Sequence, residues 1–161
     1  MFTIMLMQKD FTFQLIKGKI GEIIFDQMFR EAAEFTVIPF GYESTVPEIA
    51  QFARLVEHKE VLDSIRNTPD FALISHNQKQ VFLVEVKFRT RMNPEEILKT
   101  AEKIHDRWKL AWLFVATPDG FYFDSCSNVL EKKSIIPLNT SWISTELQRK
   151  YLEIMNKFQT D

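Results

Sequence analysis

The chain is poor in cysteine, with Cys126 as the single thiol among its 161 residues. One cysteine cannot form an internal disulfide or supply a zinc site built from several thiolates, and this usage predicts a reducing, cytoplasmic location. No apolar run approaches the length of a membrane span, so we expect no membrane association. Because 20 basic side chains stand against 22 acidic ones, the net charge of −2 does not favour a polyanionic partner for the molecule as a whole.

The sequence also lacks repeats, low-complexity tracts and linkers rich in proline or glycine. A chain of this length without such boundaries predicts a single domain over residues 1–161, large enough to bury a core without disulfides. A Gly-rich phosphate loop and the Gly-x-Ser-x-Gly elbow of serine hydrolases are absent as well. Any chemistry must therefore come from other groups, and the carboxylates are the first candidates.

Two apolar segments with a short polar stretch between them predict an antiparallel hairpin. Residues 68–75 and 81–88 are rich in β-forming side chains. A two-residue loop midway between them places Asp70 opposite Glu85, and the pleat puts Lys87 on the same face. A longer loop would change the residue that opposes Glu85.

The other face of the hairpin supports this register. It carries an unbroken apolar row made of Phe82, Val84, Val86, Phe88, Phe71 and Leu73. A slip of one residue would exchange that row with the charged one. Two carboxylates directly across a strand pair repel, and a divalent cation would offset the repulsion. Acids and lysines on a merely solvated strand face would give the same pattern, and this alternative stays open.

Hydrophobic patterns and end signals predict the remaining elements. They are a helix at 18–34, a strand at 35–42, one or two helices at 46–66, a helix at 94–107 started by Asn93 and Pro94, a strand at 110–117, a turn at 119–120 into a short strand, and a helix at 145–158. The predicted fold class is α/β, with a mixed sheet that the 94–107 helix covers as a crossover.

Glu22 is a third candidate acid. On the predicted helix it lies three and seven residues before Phe25 and Phe29, so aromatic side chains rather than water should flank it. A carboxylate in such surroundings usually needs a partner, and Gly21 beside it would allow a close approach to the helix backbone. Alternatively, the helix is rotated and Glu22 is solvated near its N-terminus, where an acid suits the dipole.

Together these residues resemble the PD-(D/E)XK nuclease superfamily, whose members share the restriction-endonuclease-like αβββαβ core. Pro69 and Asp70 match the PD element, Glu85 and Lys87 match the acid and lysine of the second element, and Glu22 matches the acid of the first helix. The order of the elements contributes more to the resemblance than these few letters do.

The resemblance covers residues 18–117. The helical segment at 43–66 would be an insertion after the first strand. Residues 118–161 would form a C-terminal extension with a hairpin and a helix.

The resemblance implies a metal-dependent endonuclease that hydrolyses phosphodiester bonds, with DNA as the expected substrate. Asp70, Glu85 and the Val86 carbonyl would hold Mg²⁺, for which Mn²⁺ could substitute. Glu22 would bind a second cation or hold a water. Lys87 would orient the attacking water and stabilise the developing charge.

A nucleic-acid partner requires a local basic lining in this slightly acidic protein. Lys19 and Arg89 should lie near the carboxylates, and Arg91 follows on the same segment. Lys99 and Lys103 repeat every four residues on the 94–107 helix and could contact phosphates. The same spacing also fits an ordinary solvated helix face.

Two further activities remain open from the sequence. One is a non-catalytic module that binds nucleic acid or protein on the same fold, and the other is hydrolysis of a small phosphate ester. A homodimer is also expected by analogy with related nucleases, through the 145–158 helix, although that helix could equally close the core.

Overall fold

The computed structural model describes residues 2–40 and 68–158. In chain order, the elements of this part are α1 (Phe2–Glu31), β1 (Phe35–Pro39), β2 (Phe71–Ser75), β3 (Gln80–Phe88), α2 (Pro94–Arg107), β4 (Trp112–Thr117), β5 (Gly120–Ser125), α3 (Cys126–Lys132) and α4 (Thr145–Lys157). The first six reproduce the αβββαβ order, so the predicted α/β core is confirmed. The insertion predicted at 43–66 lies outside the described residues. None of the helices in the described ranges combines the length and hydropathy needed to cross a bilayer.

The described strands form one mixed sheet in the order β1-β2-β3-β4-β5. Only the β3–β4 pair among them is parallel, and α2 supplies the crossover that such a pair requires. In the β2–β3 hairpin Ala72 pairs with Leu83 and Ile74 with Val81, so the predicted register is confirmed.

Helices cover both faces of the sheet, which makes three layers. Strand β4 shows the division, because Phe114 packs on the side of α1 and α4 while Leu113 and Val115 pack on the side of α2 and α3. Aromatic side chains dominate the core on the α1 side of the sheet. The ring centroids of Phe25 and Phe114, for example, lie 5.0 Å apart in an edge-to-face arrangement. Trp112 is partly buried and packs against the same ring cluster.

The first helix differs most from its prediction. It begins at Phe2 rather than at residue 18 and ends at Glu31, after which Ala33 adopts a left-handed conformation with φ of 62°. Gly18 and Gly21 are poor helix formers, but both lie inside the helix. The spacing of Ile20, Ile23 and Ile24 predicts one apolar helix face, but Ile23 is 59% exposed.

The C-terminal region contains the predicted hairpin and helix, plus the additional short helix α3. The Ser125 side chain caps α3 by accepting a hydrogen bond from the Asn128 N–H. Helix α4 packs through Tyr151 and Met155. Hydrophobic spacing along this helix predicts that Phe158 points inward, but Phe158 is 69% exposed and follows Lys157, the last residue of α4.

The start of α2 offers a test of the capping prediction. The Asn93 side chain accepts hydrogen bonds from the N–H groups of Glu95 and Glu96, at 3.1 and 3.4 Å. We expect Asn93→Ala to lower the free energy of unfolding by about 1 kcal/mol, because two helix donors lose their acceptor. Urea denaturation measures the change, and Asn93→Ser, which retains an oxygen acceptor, should lose much less. Equal losses in the two variants would show that the side-chain cap is unimportant.

Candidate active site

The site lies at a gap in the sheet, beside the start of β2, where β3 is the longer of the two strands. Phe71, the first residue of β2, pairs with Val84, so residues 85–88 of β3 extend past β2. Buried Pro69 has no N–H to continue the ladder. The Val86 N–H is satisfied by Asp70 instead, whose side-chain Oδ2 accepts its hydrogen bond at 2.8 Å.

Asp70 and Glu85 lie opposite each other at this gap, as the register predicted. Burial, together with the charge of the nearby Glu85 carboxylate, raises the pKa of Asp70 to about 7. The Val86 N–H and the Lys87 ammonium act in the opposite direction. A proton held by Asp70 therefore relieves its repulsion from Glu85.

Glu22 joins the pair from α1, which crosses β3 at close range. A Cβ on Gly21 would lie 3.4 Å from the Phe88 Cβ and 3.7 Å from the Val86 Cγ1. At this crossing Glu22 lies close enough to Asp70 that burial and the Asp70 charge raise the pKa of Glu22. Because α1 begins at Phe2, the alternative of a solvated Glu22 near a helix N-terminus does not hold.

Lys87 supplies the amine of the cluster. Its Nζ lies 3.3 Å from Glu85 Oε1, and its side chain is 35% exposed against 15% for Glu85. The ammonium therefore lies at the solvent side of the acids, where an incoming molecule would meet it.

These groups surround one open cavity of about 330 Å³. Its lining consists of Gln14, Gly18, Glu22, Asp70, Glu85, Val86, Lys87, Phe88 and Arg89. The structure thus brings together all four side chains that the sequence marked as catalytic, along with Val86.

The donor set suits a hard cation. Three carboxyl groups share the cavity, and a strand residue points its N–H and C=O to the same edge, so the Val86 carbonyl faces the side of Asp70. An all-oxygen set of this kind fits Mg²⁺ or Mn²⁺. Within residues 2–40 and 68–158, no three His, Cys, Asp or Glu side chains form a ready-made metal cluster. Cation binding would require Asp70 to release the proton that its raised pKa allows it to hold up to about pH 7.

The predicted basic residues divide into two groups. Arg89 lines the cavity and is held in place, since its Nε pairs with Glu96 and its Nη1 donates to the Phe88 carbonyl at 2.7 Å. Lys19 lies beside the cluster, with its Nζ 3.0 Å from Glu22 Oε2. The exposed side chains of a second group do not line the cavity: Arg91, Lys99 and Lys103.

Three lining residues were not predicted for the site: Phe88 was assigned to the apolar row of the hairpin, and Gln14 and Gly18 were not proposed at all. Helix α1 was predicted to start at residue 18, so Gln14 fell outside it. The available signal was spacing, because Gln14, Gly18 and Glu22 recur every four residues and share one helix face.

Comparisons with known proteins add a remote similarity. No family model and no curated protein matches the chain. Among solved structures, the chain is similar to Hjc, a Holliday junction resolvase from the archaeal hyperthermophile Archaeoglobus fulgidus, with 13% identity and a TM-score of 0.37. The match covers 81% of this chain and 98% of that one.

Proposed function

We propose that this protein is a divalent-metal-dependent nuclease that hydrolyses phosphodiester bonds in DNA. The convergence of Glu22, Asp70, Glu85 and Lys87 around one open cavity is the observation that supports it most. Three acids so close together are costly to bury unless a cation neutralises them.

Each group has a distinct role in this proposal. Asp70, Glu85 and the Val86 carbonyl hold the cation, and Glu22 holds a second cation or a water. A bound Mg²⁺ or Mn²⁺ supplies Lewis-acid stabilisation of the charge on the phosphoryl oxygens. Lys87 donates a hydrogen bond that orients the attacking water and offsets the negative charge that develops during attack.

DNA is the proposed partner because positive charge accompanies the acids at the cavity. Arg89 lines it and Lys19 adjoins it, so phosphates on either side of the scissile bond could be bound. The homodimer stays a prediction. On the helix proposed for its interface, Tyr151 is buried within this chain and its hydroxyl donates to the Gln27 carbonyl at 3.3 Å, whereas Phe158 is exposed.

A cleavage panel tests the proposal. Labelled linear duplex, single-stranded and branched DNA, and RNA, are incubated with Mg²⁺, Mn²⁺ or EDTA. We expect cleavage of at least one DNA with either metal and none with EDTA. Glu22→Gln should reduce the rate about tenfold to a hundredfold, because a supporting acid is lost.

The matched control is Asp26→Asn on the same helix, one turn further on. Asp26 pairs with Arg30 and does not line the cavity, so this variant should cleave at the wild-type rate. Nucleic-acid binding without Mn²⁺ binding or cleavage would instead favour the non-catalytic module. Turnover of small phosphate esters alone would contradict the proposed polymer substrate.

A further inference from the structure

One wall of the cavity is a single face of α1. Gln14, Gly18 and Glu22 lie four residues apart and line the cavity together. The facing wall is the end of β3 and the residue after it, 85–89. Between the two side chains on the helix wall, the position at Gly18 has no side chain.

Nothing inside the described protein requires a glycine at position 18. A Cβ built there would meet no atom within 4 Å, so the space beside it is open. Gly21 differs, because a Cβ built there would lie 3.4 Å from the Phe88 Cβ. The close crossing of α1 over β3 therefore explains why position 21 is a glycine. Glycine inside a helix lowers helix stability. A helical glycine that no neighbouring atom requires therefore points to a bound molecule that needs the space.

Positive charge borders this opening. Lys17 and Lys19 flank Gly18 in sequence, and the Lys17 Nζ lies 5.7 Å from the centre of the Phe88 ring, which lines the cavity. The cavity of about 330 Å³ is at the small end of ligand sites, so a polymer would cross it rather than be enclosed.

We infer that the nucleic-acid strand crosses α1 at Gly18, where the missing side chain leaves room for the sugar–phosphate backbone beside the acids. This inference rests on the proposed function and names how the substrate enters its site. Gly18 acts by clearance, so it is a positioning residue and not a catalytic one.

Gly18→Ala and Gly18→Leu test the inference through a steric series. We expect kcat/KM for DNA cleavage to fall about threefold with Ala and about thirtyfold or more with Leu, mainly through KM, as the strand is displaced. The Mn²⁺ affinity of both variants should stay within about twofold of wild type, because neither alanine nor leucine at position 18 can bind the metal or displace its ligands. The thermal midpoint of Gly18→Ala should be equal or higher, since alanine favours the helix.

Gln27→Leu is the matched control for Gly18→Leu, because it places a leucine side chain at an exposed position of α1 outside the cavity. It should leave cleavage and Mn²⁺ affinity unchanged. Wild-type cleavage rates in Gly18→Leu would overturn the inference.

A binding measurement separates this inference from the nuclease activity. Fluorescence anisotropy of a labelled DNA oligonucleotide, in Ca²⁺, compares wild type with Gly18→Leu. Weaker binding by the variant supports the inference even if wild type cleaves nothing, in which case the nuclease proposal alone fails. Equal affinities, or no binding by wild type, overturn the inference.

Discussion

In the absence of metal at pH 8, Asp70→Asn should unfold at a higher urea concentration than wild type, while its metal-dependent cleavage falls about a hundredfold to a thousandfold. The two effects have one cause. In the proposed function the Asp70 carboxylate binds the cation. In the absence of that cation, the carboxylate is buried beside Glu85 and Glu22 with no positive charge to neutralise all three. Asparagine removes the charge and retains an oxygen that can accept from the Val86 N–H.

The direction of the pH dependence follows from the raised pKa. Asp70 has a pKa of about 7 in the folded protein, against 3.8 for an ordinary aspartate. Between about pH 4 and pH 7 the folded state holds a proton that the unfolded chain has released, so the free energy of unfolding decreases as the pH rises. We therefore expect Asp70→Asn to gain about 2–4 kcal/mol over wild type at pH 8 and almost nothing at pH 4.

Urea denaturation in EDTA at pH 4, 6 and 8 measures this gain, and cleavage with Mn²⁺ measures the loss of activity. Glu102→Gln is the control, since Glu102 is exposed in the middle of α2 and should change stability by less than about 0.5 kcal/mol. A constant difference from pH 4 to pH 8 would show that Asp70 is not destabilised by its neighbours. Undiminished cleavage would remove it from the site.

The part of the site that the sequence predicted well is the part set by local pairing. Alternation in the row that includes Val84 and Val86 fixes one face of β3, and a short loop then fixes which residue faces Glu85. The start of α2 was equally predictable, because an Asn N-cap followed by Pro is a strong local signal.

The long helix was not predictable in the same way. Residues 2–17 carry apolar side chains without a clear helical face, and two glycines follow where a break would be expected. Helix α1 continues through Gly21 because Val86 and Phe88 pack directly against it. That contact is tertiary, and it also places Glu22 beside Asp70.

Lys87→Met should reduce cleavage about a hundredfold to a thousandfold while Mn²⁺ binding is retained. The Lys87 ammonium lies 3.3 Å from Glu85 Oε1, so its loss removes a positive charge that competes with the cation, and the Mn²⁺ affinity should stay equal or rise. Isothermal titration with Mn²⁺ and single-turnover cleavage measure the two effects separately. Lys150→Met is the control. It removes an exposed ion pair outside the cavity, in which the Lys150 Nζ lies 2.5 Å from the Glu31 Oε1.

The outcome distinguishes a catalytic lysine from one that only neutralises Glu85. If Lys87 merely balances that charge, saturating Mn²⁺ would take over the same role, and Lys87→Met would then cleave at the wild-type rate. If Lys87 orients the water, saturating metal cannot compensate and the defect persists in kcat. Lys87→Arg should then recover only part of the rate, because it restores the charge but presents a planar fork in place of a compact ammonium.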